Sequence, residues 1–256
     1  MNYFFGIKTN NINSSLNIPR FENRKKKNID CFLYQAEIIN DSWKVKELKN
    51  NELSDDFYFV DSDILNNDNI FFLATKENIK KLEMNNFSKL ENLNDFTDTT
   101  PAFRSNLQIS LIDGGFSSYQ SEYPYAMIKK QGSIVSSVSS IANKDADENF
   151  VFIKNIYEKP IKQKFNVFFV DIKLKEILNR YEVLTNHTNK IVIEKKFIKP
   201  EVFLCTDKFL GIPMYVSIKN KHLSFEHTHP PYSYILSQDK FKRVSNLKKE
   251  INEIIS

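Results

Sequence analysis

The sequence predicts a mainly β chain of the α+β class: a sandwich-like antiparallel β domain, preceded by an irregular N-terminal portion and closed by a packed C-terminal helix. Three observations predict it. Short apolar runs rich in Phe, Tyr, Ile and Val recur at intervals of about ten to fifteen residues. Clusters of Asn, Asp and Ser separate them, and these residue types make turns through local hydrogen bonds. Long helical patterns do not alternate with the runs, which argues against a doubly wound sheet.

The elements follow in order. Residues 9–30 are polar, include Arg24-Lys25-Lys26-Lys27, and read as an exposed loop with solvated charge. Residues 31–39, 57–60 and 70–74 read as strands. Over 76–93, Ile79, Leu82, Phe87, Leu90 and Leu93 fall at helical spacing, with Thr75 as the N-cap. After a connector at 96–102 the pattern becomes more regular. Residues 106–112 alternate, and Asp113-Gly114-Gly115 makes a turn. Strands are then expected over 119–129, 133–141, 150–156, 165–172, 190–194, 202–206, 213–218 and 223–229. The chain ends in an amphipathic helix over 238–255. Phe241, Val244, Leu247, Ile251, Ile254 and Ile255 form one face and Lys240, Lys242, Arg243, Lys248 and Lys249 the other, with Ser237 or Asp239 as cap. The expected organisation is an irregular portion over 1–95 and a β domain with its helix over 100–256.

Composition narrows the function classes. The chain has 256 residues, enough to bury a sizeable core, and 41% hydrophobic with 27% charged residues is ordinary for a globular protein. Gly is scarce at 5 and Phe abundant at 22, so few backbone positions suit a phosphate-cradling loop. The net charge of +4 comes from 36 basic and 32 acidic residues interspersed, which is not the footprint of a nucleic-acid binder. Cys31 and Cys205 lie in apolar runs and read as buried free thiols. The absence of a leader or an apolar span points to a soluble protein of a reducing, bacterial-type cytoplasm, with no membrane partner.

Two constellations carry chemistry. Glu226-His227-Thr228-His229-Pro230-Pro231 places two imidazoles at i and i+2. In a strand both point to one face about 6–7 Å apart, which lets two ring nitrogens converge on one divalent metal. His187, Asp207, Glu122 and Cys205 are the candidate further ligands, while Glu226 points to the other face. The second constellation is Tyr119, Glu122, Tyr123 and Tyr125, together with Tyr232 and Arg104. Tyr presents an apolar face and a polar tip, suited to stacking on a sugar and hydrogen-bonding its edge, and Arg104 adds a hydroxyl or anion contact. Asp61-Ser62-Asp63 offers paired carboxylates, but its composition is that of a turn. The function expected from these residues is a non-catalytic or accessory module binding a polar small molecule such as a glycan. The alternative is a metal-dependent enzyme centred on His227 and His229.

Overall fold

In the computed structural model, residues 2–22, 27–28, 31–49, 52–54, 56–84, 90, 105–120, 122–128, 132–227 and 238–256 are described. The chain divides into two compact units. The first is Met1–Lys129 with Ile156–Lys162 and Asn186–Thr188; the second is Lys130–Asn155, Gln163–Thr185 and Asn189–Ser256. The division expected at 95–100 falls within the first unit, because the strand that starts at Asn106 pairs there with one that starts at Ile12.

The first unit contains a five-stranded antiparallel sheet ordered β11-β10-β2-β8-β7. Its strands are β2 (Ile12–Pro19), β7 (Glu52–Ser54), β8 (Phe57–Val60), β10 (Asn106–Leu111) and β11 (Phe116–Gln120). The central position of β2 corrects the expected loop over 9–30. Asn and Ser disguise a period-two pattern in which Ile12, Ser14, Leu16 and Ile18 are buried, while Asn13, Ser15 and Asn17 alternate with them. Leu16 lies between Leu107 and Val60. Ser14 is tolerated in this row because its hydroxyl donates to the Ile7 carbonyl (2.6 Å) and accepts from the Ile7 amide (3.0 Å).

A three-stranded sheet in the same unit is ordered β6-β5-β9, from β5 (Phe32–Ile39), β6 (Ser42–Glu47) and β9 (Ile70–Ala74). Every residue of β9 is buried, and Tyr34 stacks on Phe72 with ring centroids 5.8 Å apart. β1 (Asn2–Tyr3) pairs with β12 (Tyr123–Pro124), and β3 (Phe21–Glu22) with β4 (Lys27–Asn28). The strand expected over 119–129 stops at Gln120; after β12 the chain makes a single helical turn over Tyr125–Met127. Helix α1 (Lys76–Met84) starts as expected, with Thr75 Oγ1 accepting from the Asn78 amide at 3.2 Å. The expected continuation through Phe87 and Leu93 lies outside the described residues. Asp61-Ser62-Asp63 is a turn, with the Asp61 carbonyl accepting from the Ile64 amide.

The second unit is the expected antiparallel sandwich. One sheet is ordered β13-β18-β15-β16, from β13 (Val135–Ser137), β15 (Lys164–Asp171), β16 (Glu176–Leu184) and β18 (Val202–Thr206). The other is ordered β17-β14-β19-β20, from β14 (Glu148–Lys154), β17 (Thr188–Val192), β19 (Ile212–Lys219) and β20 (His222–His227). Val167, Phe169 and Leu204 of the first sheet and Val151, Ile153 and Tyr215 of the second are buried. Tyr215 brings its hydroxyl beside Ser136 of the opposite sheet, and burial pushes that hydroxyl well above its ordinary range.

The terminal helix α2 (Lys240–Ile255) covers the other face of the first sheet, packing Leu247, Ile251, Ile254 and Ile255 on Val135, Phe168, Val170 and Cys205. Asp239 occupies the cap position, but its carboxylate accepts from Arg243 Nε at 2.9 Å rather than capping the helix. Among the described residues no helix is long and apolar enough to cross a membrane.

Candidate functional site

The alternation expected for the histidine pair holds as far as the described residues reach. In β20, Leu223 and Phe225 are buried and His227, half-buried, continues their row opposite Met214; Ser224 and Glu226 are exposed on the other side. His229, Thr228, Pro230 and Pro231 lie outside the described residues. Among the described residues no group of three or more His, Cys, Asp and Glu is placed to hold a metal.

The expected further ligands are engaged elsewhere. His187 Nδ1 donates to Asp68 Oδ1 at 2.7 Å. Asp207 accepts from the Asn166 amide (3.0 Å) and from its side-chain nitrogen (2.6 Å). Cys205 is fully buried beneath α2, where burial and the neighbouring Asp207 push its thiol up to about 12. Glu122 accepts from the Ser105 amide at 3.0 Å.

The described members of the tyrosine constellation differ in burial. Tyr123 is fully buried opposite Tyr3, its ring part of the core, and desolvation raises its hydroxyl well above the ordinary range. Tyr119 is half-buried in β11, opposite Leu107, on the side of the sheet that carries the buried residues. Tyr125 is half-buried in the helical turn that follows Pro124. Arg104 and Tyr232 lie outside the described residues.

The five-stranded sheet presents a different arrangement, on the face opposite its buried rows. Successive pairings place Asn13, Ser110 and Phe116 in one cross-strand row. Ser15, Gln108 and Ser118 form the next, and Asn17, Asn106 and Gln120 the third, with Phe59 of β8 beside Asn17. With a strand spacing of about 4.8 Å and roughly 6.7 Å between same-face residues, these rows make a field of about 10 by 14 Å. No charged residue occupies an outward position of β2, β8, β10 or β11, although 27% of the chain is charged.

Ser and Asn on a solvent face need no protein partner. Among the described residues, the side chains of Asn13, Ser15, Asn17, Asn106, Gln108 and Ser110 form no hydrogen bond with another protein group, and neither does that of Ser118. At the hairpin end of the field, Phe116 is 69% exposed and Ile112, in the turn, 61% exposed. Sequence reading missed this field because it treated 9–30 as loop. The signal was the alternation of Ile, Leu and Ser14 with Asn and Ser through β2.

No protein-family model matches the chain, and comparison with curated proteins and with solved structures finds no significant match.

Proposed function

We propose that the protein is a non-catalytic module that binds a neutral, polar ligand, a glycan above all, on the outward face of β2, β10 and β11. The observation that carries this reading is the uncharged field itself. A carboxamide offers both donors and an acceptor, and a hydroxyl offers both on one atom, so the field can satisfy groups that also donate and accept. A phosphate or carboxylate ligand would require a cation to offset its desolvation, and among the described residues the outward positions of these strands hold none. Tyr119, Glu122 and Tyr125 are not part of the field, so the glycan reading rests on Asn, Gln and Ser in place of the tyrosines.

A glycan array probed at two ionic strengths tests this. Binding to neutral glycans should be unchanged between low and high salt, because no charge pair is involved. Gln108→Glu, which places a carboxylate in the middle row, should abolish binding, and Lys219→Glu in the second unit should leave it intact. Binding that survives Gln108→Glu, or that is restricted to acidic glycans and screened by salt, refutes the reading.

A further inference from the structure

Phe116 distinguishes one kind of neutral ligand from the rest. It ends the first cross-strand row, opposite Ser110, and is 69% exposed on a strand at the edge of the sheet. A phenyl ring has no polar tip, so it offers only its apolar face. Ile112, 61% exposed in the adjoining turn, widens the apolar strip. The polar rows then continue away from this strip along the strands, from Ser110 through Gln108 to Asn106.

Resting on the reading above, we propose that the field holds an extended, β-linked neutral oligosaccharide, with one pyranose ring stacked on Phe116 and the following sugars lying along β10. A pyranose whose hydroxyls are equatorial exposes axial C–H groups as an apolar face, which matches a phenyl ring. Its hydroxyls project at the rim, where the carboxamides of Gln108 and Asn106 and the hydroxyls of Ser110 and Ser118 donate and accept in turn. A β-1,4-linked chain of such sugars is a flat ribbon, and it can follow a strand across successive rows spaced by roughly 6.7 Å. An α-1,4-linked chain of the same sugars curves and leaves the face after the first contact. Hydrated amides and hydroxyls exchange water for sugar hydroxyls at little net change, so the stacked ring supplies the affinity and the polar rows supply the orientation.

Isothermal titration with cellohexaose, maltohexaose and hexagalacturonate tests the proposal on the full chain. Cellohexaose should bind and the other two should bind at least tenfold more weakly. Phe116→Ala should weaken cellohexaose binding roughly tenfold or more, as removal of a stacking platform does, whereas Phe116→Trp should retain it. Circular dichroism and thermal melting of both variants should match the parent, since Phe116 is exposed. Cellohexaose binding indifferent to Phe116→Ala overturns the stacking proposal while leaving the neutral-ligand reading standing. Failure of the parent protein to bind any neutral glycan on the array overturns both. Sedimentation of the parent as a dimer that Phe116→Ala converts to a monomer would assign the strip to a second copy of the chain and also overturn the proposal.

Discussion

His187 and Asp68 are 119 residues apart in sequence and meet at 2.7 Å, Nδ1 to Oδ1. The same carboxylate oxygen accepts from Lys162 Nζ at 2.6 Å. Around it, Asn67 binds the Lys8 amide and carbonyl, and Asn186, at φ 53, donates to the carbonyls of Lys159 and Ile161. Two short segments, Ile156–Lys162 and Asn186–Thr188, thereby join the first unit, to which their neighbours in sequence do not belong.

The charge cluster makes that arrangement sensitive to acid. The His187 hydrogen bond, reinforced by Lys162, holds the Asp68 carboxyl well below the usual carboxylate range. A carboxylate with a depressed folded-state pKa contributes stability that is fully present above its unfolded value, near 3.9, and is lost as pH falls through the folded value. Asp68→Asn should therefore lower unfolding free energy at pH 7, by a gap that narrows as pH falls below about 4. The partners are substantially exposed, so solvent screening limits the difference to about 1 kcal/mol or less. Urea titrations of parent and variant from pH 7 to pH 2 measure it. A gap that stays constant from pH 7 down to pH 2 would show that the variant acts through packing instead.

The seat of α2 on the sandwich is tested through Cys205. The thiol is fully buried, lies in the cluster that Ile251 closes, and is pushed up to about 12. In a Cys31→Ser background, a disulfide reagent at pH 8 should react with the native protein only through opening of the structure. Ile251→Ala should cost 2–5 kcal/mol, the usual range for truncating a buried Ile, and speed labelling accordingly. Labelling as slow as in the parent would mean that the helix does not guard the thiol.

How much of this was legible in the sequence differs between elements. Strand β18 falls on the expected bounds because Val202 and Leu204 alternate among apolar neighbours on a sheet covered on both faces. The half-buried row of His227 behind Phe225 and Leu223 follows from the period of two alone. β2 was hidden because composition, read as loop, outweighed periodicity. β16 was not expected either: as an edge strand with one neighbour it buries only Val183, so no apolar run marks it. Tyr123 shows the limit for the site. Nothing local distinguishes a displayed tyrosine from one buried by a strand 120 residues upstream in the chain, and only its pairing with Tyr3 decides.

Gly211 fixes the start of β19 against β14. A Cβ there would lie 2.8 Å from the Lys154 carbonyl oxygen and 3.0 Å from Ile153 Cγ2, and backbone in a paired strand has nowhere to retreat. Gly132, by contrast, would place a Cβ 3.2 Å from the movable end of Leu210. Gly211→Ala should destabilise by about 1–3 kcal/mol, as overpacking does, while Gly132→Ala should cost less than half as much. Thermal melts of the two variants rank them, and equal losses would contradict the assignment of the Gly211 contact to rigid backbone.

The hairpin turns contain a reserve of stability that substitution can recover. Asn40 and Asp41, at φ 49 and 54, link β5 to β6, and Asn220 and Lys221, at φ 50 and 63, link β19 to β20. Two consecutive left-handed residues make the turn whose twist matches the flanking strands, and Asn-Gly is its preferred pair. The sequence places Asn first in both turns but a side chain second. Asp41→Gly and Lys221→Gly remove a Cβ from a conformation that L residues rarely adopt, although glycine gives up some of the gain as backbone entropy of the unfolded chain. The Asp147 carboxylate accepts from the Asn220 amide at 2.8 Å and keeps the second turn in place, so its geometry survives the change. Each substitution should raise unfolding free energy by several tenths of a kcal/mol and up to about 1 kcal/mol. Lys221→Gly, at the larger φ, should gain at least as much as Asp41→Gly. Urea midpoints of the two variants decide it: a fall in both would show that the strands, rather than the side chains, hold these residues at positive φ without strain.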